Sequence, residues 1–292
     1  ALSLLSWTIA TGQGLVSKNS NSSGVSCGSY NLLEHIDHHT PGYLEKSNEL
    51  MAELSGHTNT SATRRTDMEL LEINVVFHVV YNNAEENIPD SVIQNQLKLL
   101  NECFGRKNAD TINMRPAFKN IVGDASIQFK LAKNDPFGNP TNGIIHTQTN
   151  VKHFGGILPY DQSQQTEIMS WVNDSFYINL GRLSKTSEGG SNAWDPSRYL
   201  NIWIGDLRIF EPKFNNFEEL VFFALATPPS GLENWSSFEG LDEYLLALND
   251  GIIMHYNVVG PNNPSKFPAP YNAYNELVTE GKLLVHEAGH YL

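Results

Sequence analysis

Hydrophobic residues alternate along residues 71–81 and thereby predict a β-strand. Val75 and Phe77 lie on one face of this segment, whereas Val76 and Val80 lie on the other. Apolar side chains on both faces are typical of a strand that is covered on both sides, as in a sheet with helices packed on it. Shorter segments of similar character predict three further strands, at residues 126–132, 199–207 and 250–259.

Two other segments have the periodicity of helices. Residues 88–104 carry apolar side chains at the spacing of one helix face, namely Ile93, Leu97, Leu100 and Phe104. Ser91 and Gln94 have the spacing of a capping box for this helix. A last helix is predicted to begin near Tyr274 and to continue to the end of the sequence. Strands that alternate with helices predict a layered α/β domain.

The first 65 residues differ from the rest of the chain. Residues 1–10 form a short apolar run followed by small and polar residues, which is typical of a secretory signal. A buried N-terminal strand is the alternative interpretation of this run. We interpret residues 1–14 as a signal-peptide remnant, 15–65 as a separate segment and 66–292 as the main domain. The protein is therefore expected to be secreted and extracellular.

The segment 15–65 has little hydrophobic patterning of its own. Residues 15–26 are rich in Ser and Asn and are expected to form a loop. Residues 41–54 predict a helix, since Leu44, Met51 and Leu54 lie near helical spacing. Residues 55–66 have no hydrophobic period, which predicts an exposed linker.

Composition and charge exclude several classes of partner. The 292 residues include 40% hydrophobic residues, enough to form a sizeable core. With 19 Lys and Arg against 32 Asp and Glu, the net charge is −13, which excludes a nucleic-acid or anionic-membrane surface, because both require clustered cations. No stretch approaches the roughly 18 apolar residues of a membrane span.

The pentapeptide HEAGH at residues 286–290 carries the clearest chemical signal. On a helix, His286 and His290 lie one turn apart, so that their imidazole nitrogens can converge on one ion and suit Zn²⁺. Glu287 is then close enough to accept a proton from a water activated by that ion, which is the role of a general base. The pattern predicts a zinc-dependent hydrolase and leaves the third ligand open.

This pentapeptide ends an ordered series of segments that resembles the pappalysin family of metzincin zinc endopeptidases, in particular its cytophagalysin-like branch. The similarity runs from about residue 27 to the end of the chain. It is carried by residues 73–81, 93–104, 108–110, 135–144, 189–207, 250–260 and 286–292. The sequence departs from the family at Lys282 and Leu283, where the family tends to have Arg-Thr, and at residues 222–229.

The resemblance implies a fold and a complete ligand set. The expected fold is a metzincin-like N-terminal subdomain, in which a twisted mixed sheet packs on a backing helix and an active-site helix. The family motif continues as HExxHxxGxxH, so a third His and the C-terminal subdomain are expected beyond residue 292. An antiparallel edge strand, expected within residues 222–235 or in the stretch after it, would bind protein or peptide substrates as an added strand.

The resemblance also implies a zymogen. Prosegments of the family often carry a Cys-Gly motif that blocks the zinc, and Cys27 with the following Gly matches it. A thiolate is a good fourth zinc ligand and would displace the reacting water. A disulfide between Cys27 and Cys103, or a free thiol at Cys27, are the alternatives. If residues 15–65 are a prosegment, Arg64 and Arg65 are the expected maturation site.

Two other function classes remain as alternatives. One is a gluzincin, in which a Glu further along the chain is the third ligand. The other is a non-catalytic binding or adhesion module that retains a decayed protease fold. Residues 24–28 match the G-x-S-x-G pattern of serine hydrolases, but a polar tract precedes them instead of the strand that this motif requires, so we reject that class.

The remaining titratable residues have simpler interpretations. His78 and His255 lie in predicted strands and are expected to be packed or hydrogen-bonded rather than metal ligands. The three His at positions 35, 38 and 39 are expected in an exposed loop. Asp135 and Asp250 are expected to be solvated turn carboxylates, with calcium as the alternative ligand of such turns.

Overall fold

The computed structural model describes most of the chain in nine stretches. These are residues 16–17, 28–58, 70–119, 123–157, 174–213, 216–227, 248–269, 271–278 and 280–292. The strands within them are β1 (Val16–Ser17), β2 (Leu71–Tyr81), β3 (Ile127–Leu131), β4 (Ile144–Gln148), β5 (Gly156–Ile157), β6 (Leu200–Gly205), β7 (Arg208–Lys213), β8 (Asn216–Val221), β9 (Ala224–Ala226) and β10 (Ile252–His255).

Helices alternate with these strands along the chain. The α-helices are α1 (Gly28–His39), α2 (Tyr43–Thr58), α3 (Asp90–Phe104), α4 (Asp174–Gly181), α5 (Asn275–Val278) and α6 (Lys282–Tyr291). Short 3-10 helices occur at Ala109–Asn113, Pro116–Phe118, Arg182–Ser184, Thr186–Glu188, Tyr256–Val258 and Tyr271–Tyr274. Among the helices of the described stretches, none has both the length and the apolar character that crossing a bilayer requires.

The larger sheet is built around β2. Its strand order is β3, β2, β6, β10, β9, and β4 pairs with the second half of β2, beyond the residues that pair with β3. All of these pairs are parallel except that of β10 with β9, which is antiparallel. The predicted mixed sheet is therefore confirmed, and β9 lies at one of its edges. A smaller sheet has the order β1, β8, β7, β5 and has no counterpart in the sequence prediction.

Both faces of β2 are covered, as its two apolar faces predicted. Val75 and Phe77 belong to a core that α3 and α6 complete, whereas Val80 belongs to a second core on the opposite face. α1 and α4 contribute to this second core with side chains such as Leu32 and Phe176. Helices on both faces of a mostly parallel sheet form the layered α/β arrangement that the sequence predicted.

Helix α3 follows the prediction in its packing and departs from it at its start. Ile93 and Leu100 are buried, and Leu97 and Phe104 pack against the same core. The predicted capping box is wrong, because the helix begins one residue before Ser91 and its cap residue, Pro89, has no side-chain hydrogen bond. The carbonyl of Pro89 instead accepts the backbone N–H of Val92 at 2.9 Å.

Three further features differ from the prediction. The last helix does not run continuously from Tyr274, because the helical conformation is interrupted at Gly281. Gly281 has a left-handed φ of +65°, which separates α5 from α6. The predicted loop at positions 35, 38 and 39 is wrong, since all three residues lie in α1. α2 extends the predicted helix to Thr58, into the first residues of the expected linker.

Candidate metal and catalytic site

Helix α6 holds the HEAGH pentapeptide against the core of the larger sheet. Leu284 and Ala288 are fully buried, and Leu283 is buried beside them. Leu292, just after the helix, is 55% exposed. The helix contacts both β9 and β10, and this packing fixes the orientation of residues 286–290 relative to the sheet edge.

His286 and His290 converge through their outer ring nitrogens. Their Nε2 atoms are 2.9 Å apart, and the ring centroids are 4.5 Å apart with the planes at 78°. Partial burial lowers the pKa of His290 below its ordinary value, which favours the neutral ring that a metal requires. Two convergent imidazole nitrogens fit zinc. Among the described residues, no group of three or more His, Cys, Asp and Glu side chains that could hold an ion is found.

Glu287 is fully buried and touches the N-terminal part of the chain. Its Oε2 accepts a hydrogen bond from the hydroxyl of Ser29, at 3.1 Å. Ser29 lies at the start of α1 and is itself 5% exposed. The carboxylate expected to act as the base is therefore covered by a residue 258 positions earlier in the sequence.

The same hydroxyl contacts the edge strand of the larger sheet. The backbone N–H of Ala226 donates to Ser29 Oγ at 3.2 Å, and the Ala226 carbonyl oxygen lies 3.3 Å from that Oγ. Ala226 is the last residue of β9, the antiparallel edge strand. The expectation of such a strand within residues 222–235 is confirmed, whereas its contact with α1 was not predicted.

Helix α6 is anchored at its start by Gln96, a residue that the sequence interpretation missed. The Gln96 side chain donates to the carbonyl of Gly281 at 2.8 Å and accepts the N–H of Gly260 at 2.6 Å. Gln96 is fully buried. A Gln between Ile93 and Leu100 on the apolar face of α3 was the available signal, because a buried amide is retained only where its hydrogen bonds are satisfied.

An ion pair adds a second anchor at the same end of α6. Lys282 Nζ donates to Asp110 Oδ2 at 2.6 Å and lies 2.8 Å from Glu280. Hydrogen bonding to Lys282 lowers the pKa of Asp110. Burial acts to lower the pKa of Lys282, but the hydrogen bonds to Asp110 and Glu280 outweigh it and raise the pKa. Lys282, one of the departures from the family pattern, thus ties the segment around Asp110 to the helix.

His78 is packed and hydrogen-bonded, as predicted, and lies away from the HEAGH helix in the second half of β2. Its Nδ1 is 2.8 Å from Ser191 Oγ, and its Nε2 is 3.1 Å from Asn201 Oδ1. The ring stacks on Trp203. Burial lowers the pKa of His78 to about 4 despite the opposing effect of the Asn201 contact. His78 therefore holds the segment around Ser191 against the sheet as a neutral ring.

His255 is also buried and belongs to a cluster at the end of β10. Its Nε2 lies 3.7 Å from Oδ1 of the buried Asp206, which Arg208 binds through its guanidinium, with Nε 2.8 Å from Oδ2. Burial acts to raise the pKa of Asp206, but the nearby His255 ring and the hydrogen-bonded Arg208 guanidinium bring it well below its ordinary value. The prediction of a packed His255 is confirmed, and the sequence interpretation missed its partner Asp206.

The remaining predicted residues have different outcomes. Cys27, Arg64 and Arg65 lie outside the described residues, so the structure does not place them. Cys103 is half-buried, and within the described residues it forms no disulfide. Burial raises the pKa of its thiol. Asp135 lies in a turn, as predicted, where its carboxylate accepts hydrogen bonds from Phe137 and Asn139.

Comparisons with known proteins give matches among solved structures only. No protein-family model matches the chain, and neither does any curated protein. The mature mirolysin of Tannerella forsythia in complex with a cleaved peptide is 31% identical, with a TM-score of 0.51, over 77% of this chain and 63% of that one. Mirolysin in complex with a ligand named compound 9 is also 31% identical, with a TM-score of 0.52 and the same coverage.

The pro-form of the same enzyme matches a larger share of the chain. A Tannerella forsythia promirolysin mutant is 28% identical, with a TM-score of 0.57, over 90% of this chain and 66% of that one. The chain thus spans less than two thirds of the length of each of these three structures. It has the mixed α/β, metzincin-like fold of mirolysin, which is a metzincin-type metalloprotease.

Proposed function

We propose that this chain is part of a secreted zinc-dependent endopeptidase that is made as a zymogen. The observation that carries the proposal is the geometry of α6, where His286 and His290 converge and Glu287 lies between them in sequence, on the side of the edge strand. The similarity of the fold to that of mirolysin, a metalloprotease, also supports the proposal. The chain spans only part of the related structures, so the activity belongs to the full-length protein.

His286 and His290 would hold the metal through their Nε2 atoms. The resemblance to pappalysins adds a third His beyond residue 292, which would complete the three protein ligands that catalytic zinc sites use. When bound, zinc supplies a Lewis acid that polarises water and the substrate carbonyl. The fit rests on the convergence of the two rings of α6, whose Nε2 atoms lie 2.9 Å apart.

Glu287 would move the proton in the reaction. Its carboxylate accepts a proton from the attacking water, whose oxygen forms the new bond to the peptide carbon. The same proton is then returned to the nitrogen of the departing amine as the C–N bond breaks. For this role the carboxylate has to meet water and substrate, so the N-terminal segment that now covers Glu287 must first leave it.

The substrate would be an extended polypeptide bound along β9. The backbone of an edge strand offers N–H and C=O groups to an added strand without reading its sequence, which suits protein and peptide substrates. Ala226 presents such groups next to Glu287. The related mirolysin was solved with a cleaved peptide.

The N-terminal segment would keep the enzyme inactive until it is removed. In this proposal residues 1–14 are the remnant of a secretory signal, 15–65 are the prosegment and 66–292 belong to the catalytic domain. Cys27 would ligate the zinc, and cleavage at Arg64 or Arg65 would release the segment. Ser29, two residues after Cys27, touches Glu287. Promirolysin also matches a larger share of the chain than mature mirolysin does, 90% against 77%.

Peptide cleavage by the full-length protein tests the proposal. After cleavage of the segment at Arg64 and Arg65, the protein is incubated with a peptide mixture and the products are identified by mass spectrometry. We expect internal cleavage that a chelator abolishes and that one equivalent of zinc restores. Peptide binding without cleavage would favour a binding module instead. A carboxylate oxygen as third zinc ligand, seen by X-ray absorption, would favour a gluzincin.

A further inference from the structure

A single buried hydroxyl connects the two parts of the site that a substrate needs. Ser29 Oγ lies within 3.3 Å of three polar atoms, Glu287 Oε2 and the carbonyl oxygen and amide nitrogen of Ala226. A serine hydroxyl has one proton and two lone pairs. It therefore accepts the Ala226 N–H and donates its one proton either to the Glu287 carboxylate or to the Ala226 carbonyl.

The hydrogen bond from Ser29 stabilises the charged form of the Glu287 side chain, which burial alone would disfavour. A carboxylate is costly to bury unless it receives hydrogen bonds, and hydrogen bonds to charged groups are stronger than neutral ones. Ser29 provides such a bond at 3.1 Å, and it lies in the first turn of the twelve-residue helix α1, where the helix dipole also favours an anion. Glu287 is thus stabilised in a covered position, where bulk water does not reach it.

The contact with Ala226 occupies the edge strand. An extended peptide that adds to a sheet edge uses the outward N–H and C=O groups of that edge. Both groups of Ala226 lie within hydrogen-bond distance of Ser29, at 3.2 and 3.3 Å. A peptide cannot take these positions while Ser29 is in place.

We propose that Ser29 is a second inhibitory contact of the N-terminal segment, one that acts on the base and the edge strand and does not depend on the metal or on Cys27. The proposal rests on the proposed function, since it concerns the regulation of the same site. A thiol on zinc blocks the metal, whereas Ser29 blocks proton transfer and substrate binding. None of the atoms in the Ser29 contact is a proposed zinc ligand, so we expect the contact in the metal-free protein as well.

Apolar packing holds α1 in place separately from this hydroxyl. Leu32 and Ile36 are buried in the core that contains Trp203, Leu225 and Ile253. Removal of the Ser29 hydroxyl therefore leaves the segment docked, whereas Leu32→Ala loosens the whole of α1. This difference allows the contact to be tested apart from the docking of the segment.

The first experiment measures hydrogen exchange in the metal-free full-length protein. In Ser29→Ala we expect the Ala226 amide to exchange about tenfold faster or more, which is the effect of losing a hydrogen bond in a buried site. The amides of Leu32 and Ile36 keep their protection. Ser29→Thr, which retains a hydroxyl, restores slow exchange, and Ser197→Ala in an exposed turn has no effect. Unchanged exchange at Ala226 in Ser29→Ala overturns the proposal.

The second experiment measures cleavage of a reporter peptide by the uncut, zinc-loaded full-length protein. We expect Cys27→Ala to remain partly inhibited, and Cys27→Ala/Ser29→Ala to cleave about tenfold faster or more than Cys27→Ala. Equal rates for these two variants overturn the proposal. If no variant cleaves even after the cut at Arg64 and Arg65, the proposed function fails, and the exchange experiment still decides whether the contact exists.

Discussion

The Nε2 atoms of His286 and His290 lie 2.9 Å apart on helix α6. Two imidazole ligands of a tetrahedral zinc, each about 2.05 Å from the ion, have their nitrogens about 3.3 Å apart. The observed pair therefore needs to open by only a few tenths of an ångström to accept the ion. This geometry makes the ligand assignment testable one residue at a time.

Loss of one ring should remove most of the zinc affinity. In His290→Ala we expect the affinity of the full-length protein for zinc to fall about a hundredfold or more, since loss of an outer-shell partner alone typically costs 10–100-fold. Competition with a chromogenic chelator measures the affinity. His146→Ala is the matched control, because His146 is bound to Asn87 and Asp90 on another part of the surface. Equal affinity in His290→Ala and the wild type would contradict the assignment.

Replacement of Gln96 should destabilise the start of α6. Gln96→Leu leaves the Gly281 carbonyl and the Gly260 N–H buried without their partner, and each such group costs about 1–3 kcal/mol, so we expect a loss of about 2–5 kcal/mol in the free energy of unfolding. Urea denaturation measures it. Gln94→Leu on the exposed face of the same helix should change stability by less than about 0.5 kcal/mol. Similar losses of unfolding free energy in the two variants would mean that the Gln96 hydrogen bonds do not stabilise the start of α6.

His78 should make the stability depend on pH. Its pKa of about 4 lies below that of the unfolded chain, so on acidification the unfolded chain binds the proton first. Stability is therefore complete above pH of about 6.5 and falls by about 3 kcal/mol as the pH decreases to about 4. Denaturation at a series of pH values should show a shallower decrease in His78→Gln than in the wild type. Parallel profiles would contradict the low pKa.

The Asp110–Lys282 ion pair should contribute little to stability. Both side chains are about one third exposed, and such pairs are typically worth about 0–1 kcal/mol. Because the pKa of Asp110 is lowered, its contribution is present above the ordinary Asp value and is lost as the pH falls below it. We expect Asp110→Asn to lower the unfolding free energy by at most about 1 kcal/mol in low salt, and by less in high salt. A loss of several kcal/mol would point to an additional role of Asp110.

The sequence predicted those parts of the fold that local patterns determine. Strand β2 was recognisable because its two apolar faces reflect two separate cores, and α3 because Ile93 and Leu100 recur on one helix face. The convergence of the histidine pair of α6 was equally predictable, since a spacing of four residues places two rings on one side of any helix. These features depend on neighbours within a few residues.

The parts that were missed depend on contacts between distant segments. Nothing local to Ser29 indicates that its hydroxyl reaches Glu287, 258 residues away. The start of α6 was placed too early, because the break at Gly281 is set by close packing against Gln96, Leu99 and Pro261, which lie on other segments. The predicted capping box was wrong for a different reason. From the sequence alone, a Ser-x-x-Gln spacing inside a helix cannot be distinguished from the same spacing at its start.

The proposed role of Glu287 as the general base can be tested by removing its charge. The full-length protein, cut at Arg64 and Arg65, is compared with its Glu287→Gln variant for zinc content and for kcat/KM on the same peptide. We expect equal zinc and a loss of about 10²–10⁴-fold in kcat/KM, which is the usual contribution of a general base. Glu276→Gln, an exposed carboxylate on the preceding helix, should leave both values unchanged. Full cleavage by Glu287→Gln at equal zinc content would exclude Glu287 as the base.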